Sequence, residues 1–177
     1  MHAEIERGHA MPVTSNELPI HADLRTAVDR AVPALLSLSD VAASGAPARG
    51  RWSPKQVIGH LIDSASNNHQ RFVRAQFTDD LVFPGYEQDA WVDVQRYQDA
   101  EWTELVAFWR SYNLHLARVI EAIPARVQGE LRIRHNLHVR AFTPVPESEP
   151  ATLGYFMRDY VVHLRHHLRQ IPIAGAD

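Results

Sequence analysis

A chain of 177 residues, 45% apolar and 22% charged, has the length and balance of one globular domain, so residues 1–177 read as a single unit with its own core. Basic side chains number 18 against 21 acidic, a net charge of −3 with arginines interleaved among acids, which argues against a nucleic-acid partner. Cysteine is absent, which excludes disulfides, thiolate metal ligands and a protein thiol nucleophile; a thiol used in any chemistry must arrive on a small molecule.

Residues 1–17 read as a loosely attached arm, polar and without the apolar stretch of a signal peptide. No segment approaches the ~18 apolar residues of a membrane span, so a cytoplasmic protein without a membrane partner is expected. From Leu18 to about Val41, apolar residues at Leu24, Val28, Val32, Leu35, Leu36 and Leu38 recur at helical spacing, with a bend or restart expected at Pro33. Ala43 to Gly50 is a linker by its glycine and proline content. Ser53 then reads as an N-cap with Pro54 at the first helical position, opening a second helix to about Phe77.

The segment Phe83 to Trp91 is turn-rich and supplies aromatics to the bundle. A third helix spans about Asp99 to Ala122 and stops before Pro124. Arg126 to Thr143 alternates polar and apolar residues around Asn136, a pattern for a short hairpin or an extended excursion. After a proline-rich loop, Thr152 caps a last helix running to Ile171. Four such helices imply an all-α four-helix bundle, with the tryptophans and Phe156 in its core.

His163 and His167 lie four apart on the last helix, which places both rings on one face with roughly 5–6 Å between Cβ atoms. With His60 from the second helix they could close on one divalent ion and leave a coordination position open, the layout of a reactive site. His166 points about 100° away from its neighbours, and His69 is too far along the second helix to share an ion with His60. Asp63, Ser64 and Asn67 follow His60 on a polar stripe. Asp63 is the candidate catalytic residue, as a proton acceptor or a group that orients an imidazole, and Ser64 and Asn67 are candidate substrate contacts. Arg71 and Arg74 are candidates for binding an anionic substrate or a thiol cofactor. Asp159, one turn before His163, could be a fourth ligand or hold an imidazole tautomer.

The segments Trp52-Ser-Pro-Lys-Gln-Val-Ile-Gly-His60-Leu-Ile-Asp-Ser64, Arg71-Phe72, Pro84 to Trp91 and His163-Leu-Arg-His-His167-Leu-Arg-Gln-Ile171 occur in this order. Together they resemble the DinB-like superfamily, and within it the YfiT-like branch, described as metal-dependent hydrolases and including bacillithiol transferases. The resemblance implies an up-down-down-up bundle, a tendency to form homodimers, and a zinc- or nickel-type site with His60, His163 and His167 as ligands. Gly59 and Gln170 stand where some relatives carry further histidines.

P-loop, dinucleotide, nucleophile-elbow, His-Glu-x-x-His and di-iron Glu-x-x-His motifs are all missing. The expected function is a divalent-metal-dependent enzyme that activates water for hydrolysis or a low-molecular-weight thiol for S-transfer to electrophiles. The competing reading is a non-catalytic, stress-associated metal-binding bundle, which a fourth protein ligand such as Asp159 would favour.

Overall fold

The computed structural model describes residues 18–46 and 48–173, and the arm expected at 1–17 lies outside them. In chain order the helices are α1 (Ile20–Leu36), α2 (Asp40–Ser44), α3 (Pro54–Arg74), α4 (Gln88–Val94), α5 (Trp102–Ala122), α6 (Ala125–Gly129), α7 (Leu137–Arg140) and α8 (Leu153–Leu168), with a single 3-10 turn at Tyr97–Asp99. The long ones, α1, α3, α5 and α8, form the bundle, and the short ones sit in its connections.

Contacts near the helix ends set the direction of each rod. Trp102, opening α5, donates its indole N–H to the Leu35 carbonyl near the end of α1 (2.9 Å), while Arg25 pairs with Glu121 near the opposite end. Those two helices are antiparallel. Ser53, capping α3, bonds Gln98 just before α5, and His69 late in α3 meets the rings of Tyr112 and His115 later in α5, so these two are parallel. His60 and Phe72, early and late in α3, meet His167 and Phe156, late and early in α8. The order is up-down-down-up. A tight turn cannot join parallel neighbours, so the connection 75–101 must travel back along a 21-residue helix, about 30 Å at 1.5 Å per residue.

α1 and α3 each pack against both α5 and α8. Leu24, Val28 and Leu35 from α1, Ile58, Leu61 and Phe72 from α3, Trp109 and Leu116 from α5, and Met157 and Leu164 from α8 are fully buried, each stabilising the bundle by roughly 1.5–3 kcal/mol for a side chain of this size. Asn113 is buried among them and satisfied: its oxygen accepts from the Tyr160 hydroxyl (2.5 Å) and its amide donates to the Trp109 carbonyl (2.9 Å).

The start of α3 sets the height of His60. Ser53 Oγ accepts from the Gln56 N–H (3.2 Å) and the Gln56 side chain accepts from the Ser53 N–H (3.0 Å), a capping box worth about 1 kcal/mol, with Pro54 pre-set for the first turn. Thr152 caps α8 as expected, accepting from the Tyr155 N–H (3.0 Å).

Three local expectations differ from the structure. α1 continues through Pro33 to Leu36, and the restart comes at Ser39, whose hydroxyl caps α2. The turn-rich segment after Phe83 contains a helix, α4, and Trp91 on it is 38% exposed rather than core. Between α5 and α8 the segment Arg126 to Thr143 forms neither a hairpin nor a continuous extended stretch: α6 and α7 take up parts of it, and only the residues between them are extended. Arg132 pairs with Ala151 and Leu81 with His135 as isolated bridges, and the described residues hold no strand. The cause is Arg132, 4% exposed, whose guanidinium donates to the carbonyls of Ala75 (3.0 Å) and Thr78 and so pins this segment to the end of α3.

Candidate metal centre and its cavity

His60 sits on the second turn of α3 at 1% exposure, and His163 and His167 reach it from the late turns of α8. His60 Nε2 and His163 Nε2 are 3.3 Å apart, and one nitrogen from each of the three rings lies within 4.8 Å of the others. The rings meet edge-on, with interplanar angles of 61° to 67°, which turns nitrogens rather than ring faces toward a common point. Trp52, expected in the core, is half-buried and lies against His60 with ring centroids 5.0 Å apart.

Burial holds all three imidazoles neutral. It is the main cause for each, followed by the charge of neighbouring histidines: His60 is pushed down to about 3, His163 to about 2 and His167 to about 4. Neutral imidazole is the form that ligates. The Nδ1 atoms of His60 and His167 are buried without a hydrogen-bond partner, an arrangement that costs free energy unless something else compensates it. The Nε2 separation also fits an ion: two nitrogens at about 2.0–2.1 Å from a tetrahedral zinc are about 3.3–3.4 Å apart. These residues suit a divalent ion bound by imidazole.

The candidate residues around the triad fall in different places. Ser64, 3% exposed, lies 3.4 Å from His163 Nδ1, where its hydroxyl can fix that ring. Asp63 is turned away, toward the connection before α5. Its Oδ1 accepts from the Tyr97 hydroxyl (2.8 Å) and the Gln95 amide (2.7 Å), its Oδ2 is buried without a partner, and burial raises its pKa. Gly59 makes this possible, because a Cβ there would lie 2.1 Å from the Tyr97 ring. Asp159 is buried, but both oxygens are occupied by backbone N–H groups of Phe142 and Thr143, at 2.7 Å each, so it is not arranged as a fourth ligand. His166 packs against Phe142 and bonds Gln170, outside the triad.

A cavity of about 270 Å³ opens from His60 and His163. Ser64, Asn68 and Arg71 form one wall, Phe156 and Tyr160 another, and Tyr86, Arg140 and Phe142 come from the connections. Asp63 and Asn67 do not line it. Asn67 bonds the Asp63 carbonyl and faces a separate small cleft with Gln70 and Arg74, and Asn68 holds the place expected for it. Arg71 is buried and donates to the Pro84 carbonyl (2.9 Å). Among the described residues no helix is long and apolar enough to cross a membrane.

The chain is similar to known proteins. A protein of Oceanobacillus iheyensis, provisionally named a metal-dependent hydrolase, is 29% identical over 122 residues; the match covers 69% of this chain but only 64% of that relative's length. YfiT from Bacillus subtilis, described as "a probable metal-dependent hydrolase with an unusual four-helix bundle topology", superposes with a TM-score of 0.70 over 94% of this chain and 89% of its own. At 17% identity that likeness speaks for the fold alone. The sequence profile of the DinB superfamily matches residues 23–171, nearly the whole described bundle, and the chain belongs to the DinB superfamily.

Proposed function

We propose that this protein is a divalent-metal-dependent enzyme acting on a small molecule, with His60, His163 and His167 as the metal ligands and the adjoining cavity as the substrate site. The observation that carries this reading is the convergence of three neutral imidazoles at the end of a cavity, with the nearby carboxylate of Asp159 bonded elsewhere. A zinc or nickel ion held there would act as a Lewis acid and favour the deprotonated form of a water or a thiol near neutral pH.

The chain's own groups do the rest. Trp52 and the buried faces of α3 and α8 keep bulk water from the imidazoles. Ser64 steadies His163, and Phe142, Phe156 and Tyr160 offer an apolar surface to the body of a substrate. With no cysteine in the chain, S-transfer would use an external low-molecular-weight thiol; hydrolysis would use water at the same place. The name of the Oceanobacillus iheyensis relative favours hydrolysis. The non-catalytic reading loses support because its fourth ligand is missing from the triad.

Two measurements test this. His163→Ala is expected to abolish stoichiometric zinc or nickel by elemental analysis while the far-ultraviolet spectrum of the bundle persists; unchanged metal content would refute the ligand assignment. The metal-loaded protein is then offered several small thiols against a panel of electrophiles, with ester and amide hydrolysis followed in parallel. Thiol consumption identifies a transferase, hydrolysis alone a hydrolase, and neither would sink the catalytic reading.

A further inference from the structure

Two guanidinium groups line the cavity with no acid paired to them. Arg71 is 7% exposed and donates to the Pro84 carbonyl (2.9 Å) and the Asn68 side-chain oxygen (3.4 Å). Arg140, ending α7, is half-buried, and its Nε is buried without a partner. Among the described residues neither takes part in an ion pair. Of the two carboxylates on the cavity wall, Asp159 accepts from two backbone N–H groups and pairs with neither arginine, and Glu87 is exposed.

Arg71 is held by hydrogen bonds and Arg140 is confined by packing. The segment Pro84–Gly85–Tyr86 touches both: Arg71 bonds the Pro84 carbonyl, and the Arg140 guanidinium fills the space where a Gly85 side chain would be, since a Cβ there would meet its Nη1 at 2.0 Å. Burial disfavours the Arg71 cation most; Tyr86 works against that, and the charge of Arg140 adds to it. Arginine nevertheless keeps its proton, so two like charges share a poorly solvated cleft at a cost that a bound anion would offset. Phe156, beneath Arg71 at 6.0 Å from ring centroid to guanidinium, lies between this end and the imidazoles along α8.

We propose that Arg71 and Arg140 form the recognition end of the cavity, taking the carboxylate or phosphate group of a small organic anion whose body lies over Phe156 and Tyr160 and whose reacting end reaches His60 and His163. The reacting end rests on the metal-dependent reading above; the anion site does not. Arginine's planar fork suits either oxyanion.

The test is calorimetric titration of the metal-loaded full chain with succinate, inorganic phosphate and neutral succinamide. The wild type is expected to bind at least one anion and not succinamide, and the preferred anion distinguishes carboxylate from phosphate. Arg140→Gln should weaken binding about tenfold or more, as expected when one charge-assisted contact is lost. Gly85→Ala should do the same by displacing the guanidinium, both with metal content unchanged. His163→Ala should lose the metal and retain the anion. Binding that vanishes in His163→Ala but survives Arg140→Gln would place the anion on the metal and overturn the proposal while leaving the metal reading intact. No binding of either anion, or equal binding of succinamide, would overturn it as well. If His163→Ala kept its metal, the metal reading would fail, and weakened binding in Arg140→Gln would still support the anion site.

Discussion

Asp159 fixes Phe142 in the cavity wall: a carboxylate oxygen accepts the Phe142 N–H at 2.7 Å, and the other oxygen takes the next N–H, of Thr143, at the same distance. A buried acid on α8 thus anchors the loop that closes over His163 and His166, whose rings contact Phe142 at 5.6 Å and 4.9 Å.

Asp159→Asn keeps one acceptor and sets an amide N–H against the second backbone N–H. A loss of about 2–3 kcal/mol is expected for a buried, charge-assisted pair of this kind, read from urea unfolding, with metal stoichiometry unchanged. Loss of the metal without loss of stability would instead mark Asp159 as a ligand.

Trp52 should report on the site. Its ring lies against both His60 and His167, with centroids 5.0 Å and 6.3 Å apart, whereas Trp102 and Trp109 are buried in α5 and Trp91 sits on α4. Nickel added to metal-free protein is expected to quench tryptophan emission with a one-to-one endpoint, and Trp52→Phe should remove most of the change. Equal quenching in that variant would put the ion elsewhere.

Gly59→Ala should destabilise despite the better helix propensity of alanine. Propensity favours the change by about 1 kcal/mol, but the new Cβ would lie 2.1 Å from Cδ2 of Tyr97, and overpacking of this kind costs about 1–3 kcal/mol. A double-mutant cycle with Tyr97→Ala checks the cause: the Gly59→Ala penalty should disappear once the ring is gone.

Acid should destabilise the metal-free protein. His60, His163 and His167 have folded pKa values near 3, 2 and 4 against an ordinary 6.5, so the unfolded chain binds more protons in between. Their contribution is complete above about pH 6.5 and is lost as the pH falls toward the folded values, by up to about 1.4 kcal/mol per pH unit for each proton. Thermal midpoints measured from pH 7 to pH 4 should fall accordingly, and less steeply in His163→Ala. A flat profile would mean the rings are already solvated.

The long helices and the pair His163 and His167 are legible from helical periodicity, and Ser53-Pro54 marks where the helix bearing His60 begins, while His60 as the third ligand rests on the resemblance to the DinB-like motifs. The same periodicity misplaced Asn67. At 100° per residue, Ser64, Asn68 and Arg71 lie about 40°, 80° and 20° to one side of His60, while Asp63 and Asn67 lie about 60° and 20° to the other. Nothing in α3 alone says which side faces α8, and it is the first. Tyr86, Arg140 and Phe142 were missed for a different reason. They come from connections without a repeat, and only the backbone path past Gly85 and Asp159 brings them to the cavity. The hairpin expectation fails because alternation over a few residues neither fixes an extended backbone, as α7 at Leu137–Arg140 shows, nor says which neighbour the segment pairs with.

Because α3 and α5 run the same way, the chain has to make a full-length return between them, and a second long connection leads from α5 to the oppositely directed α8. The three imidazoles come from the rigid rods alone, whereas the cavity wall is shared: Arg71, Phe156 and Tyr160 stand on α3 and α8, and Arg140 and Tyr86 ride on these connections. On the reading proposed above, the metal ligands and part of the recognition surface thus lie in separate stretches of polypeptide. Swapping one of these connections between homologues should shift which molecules bind while leaving the three imidazoles where they are.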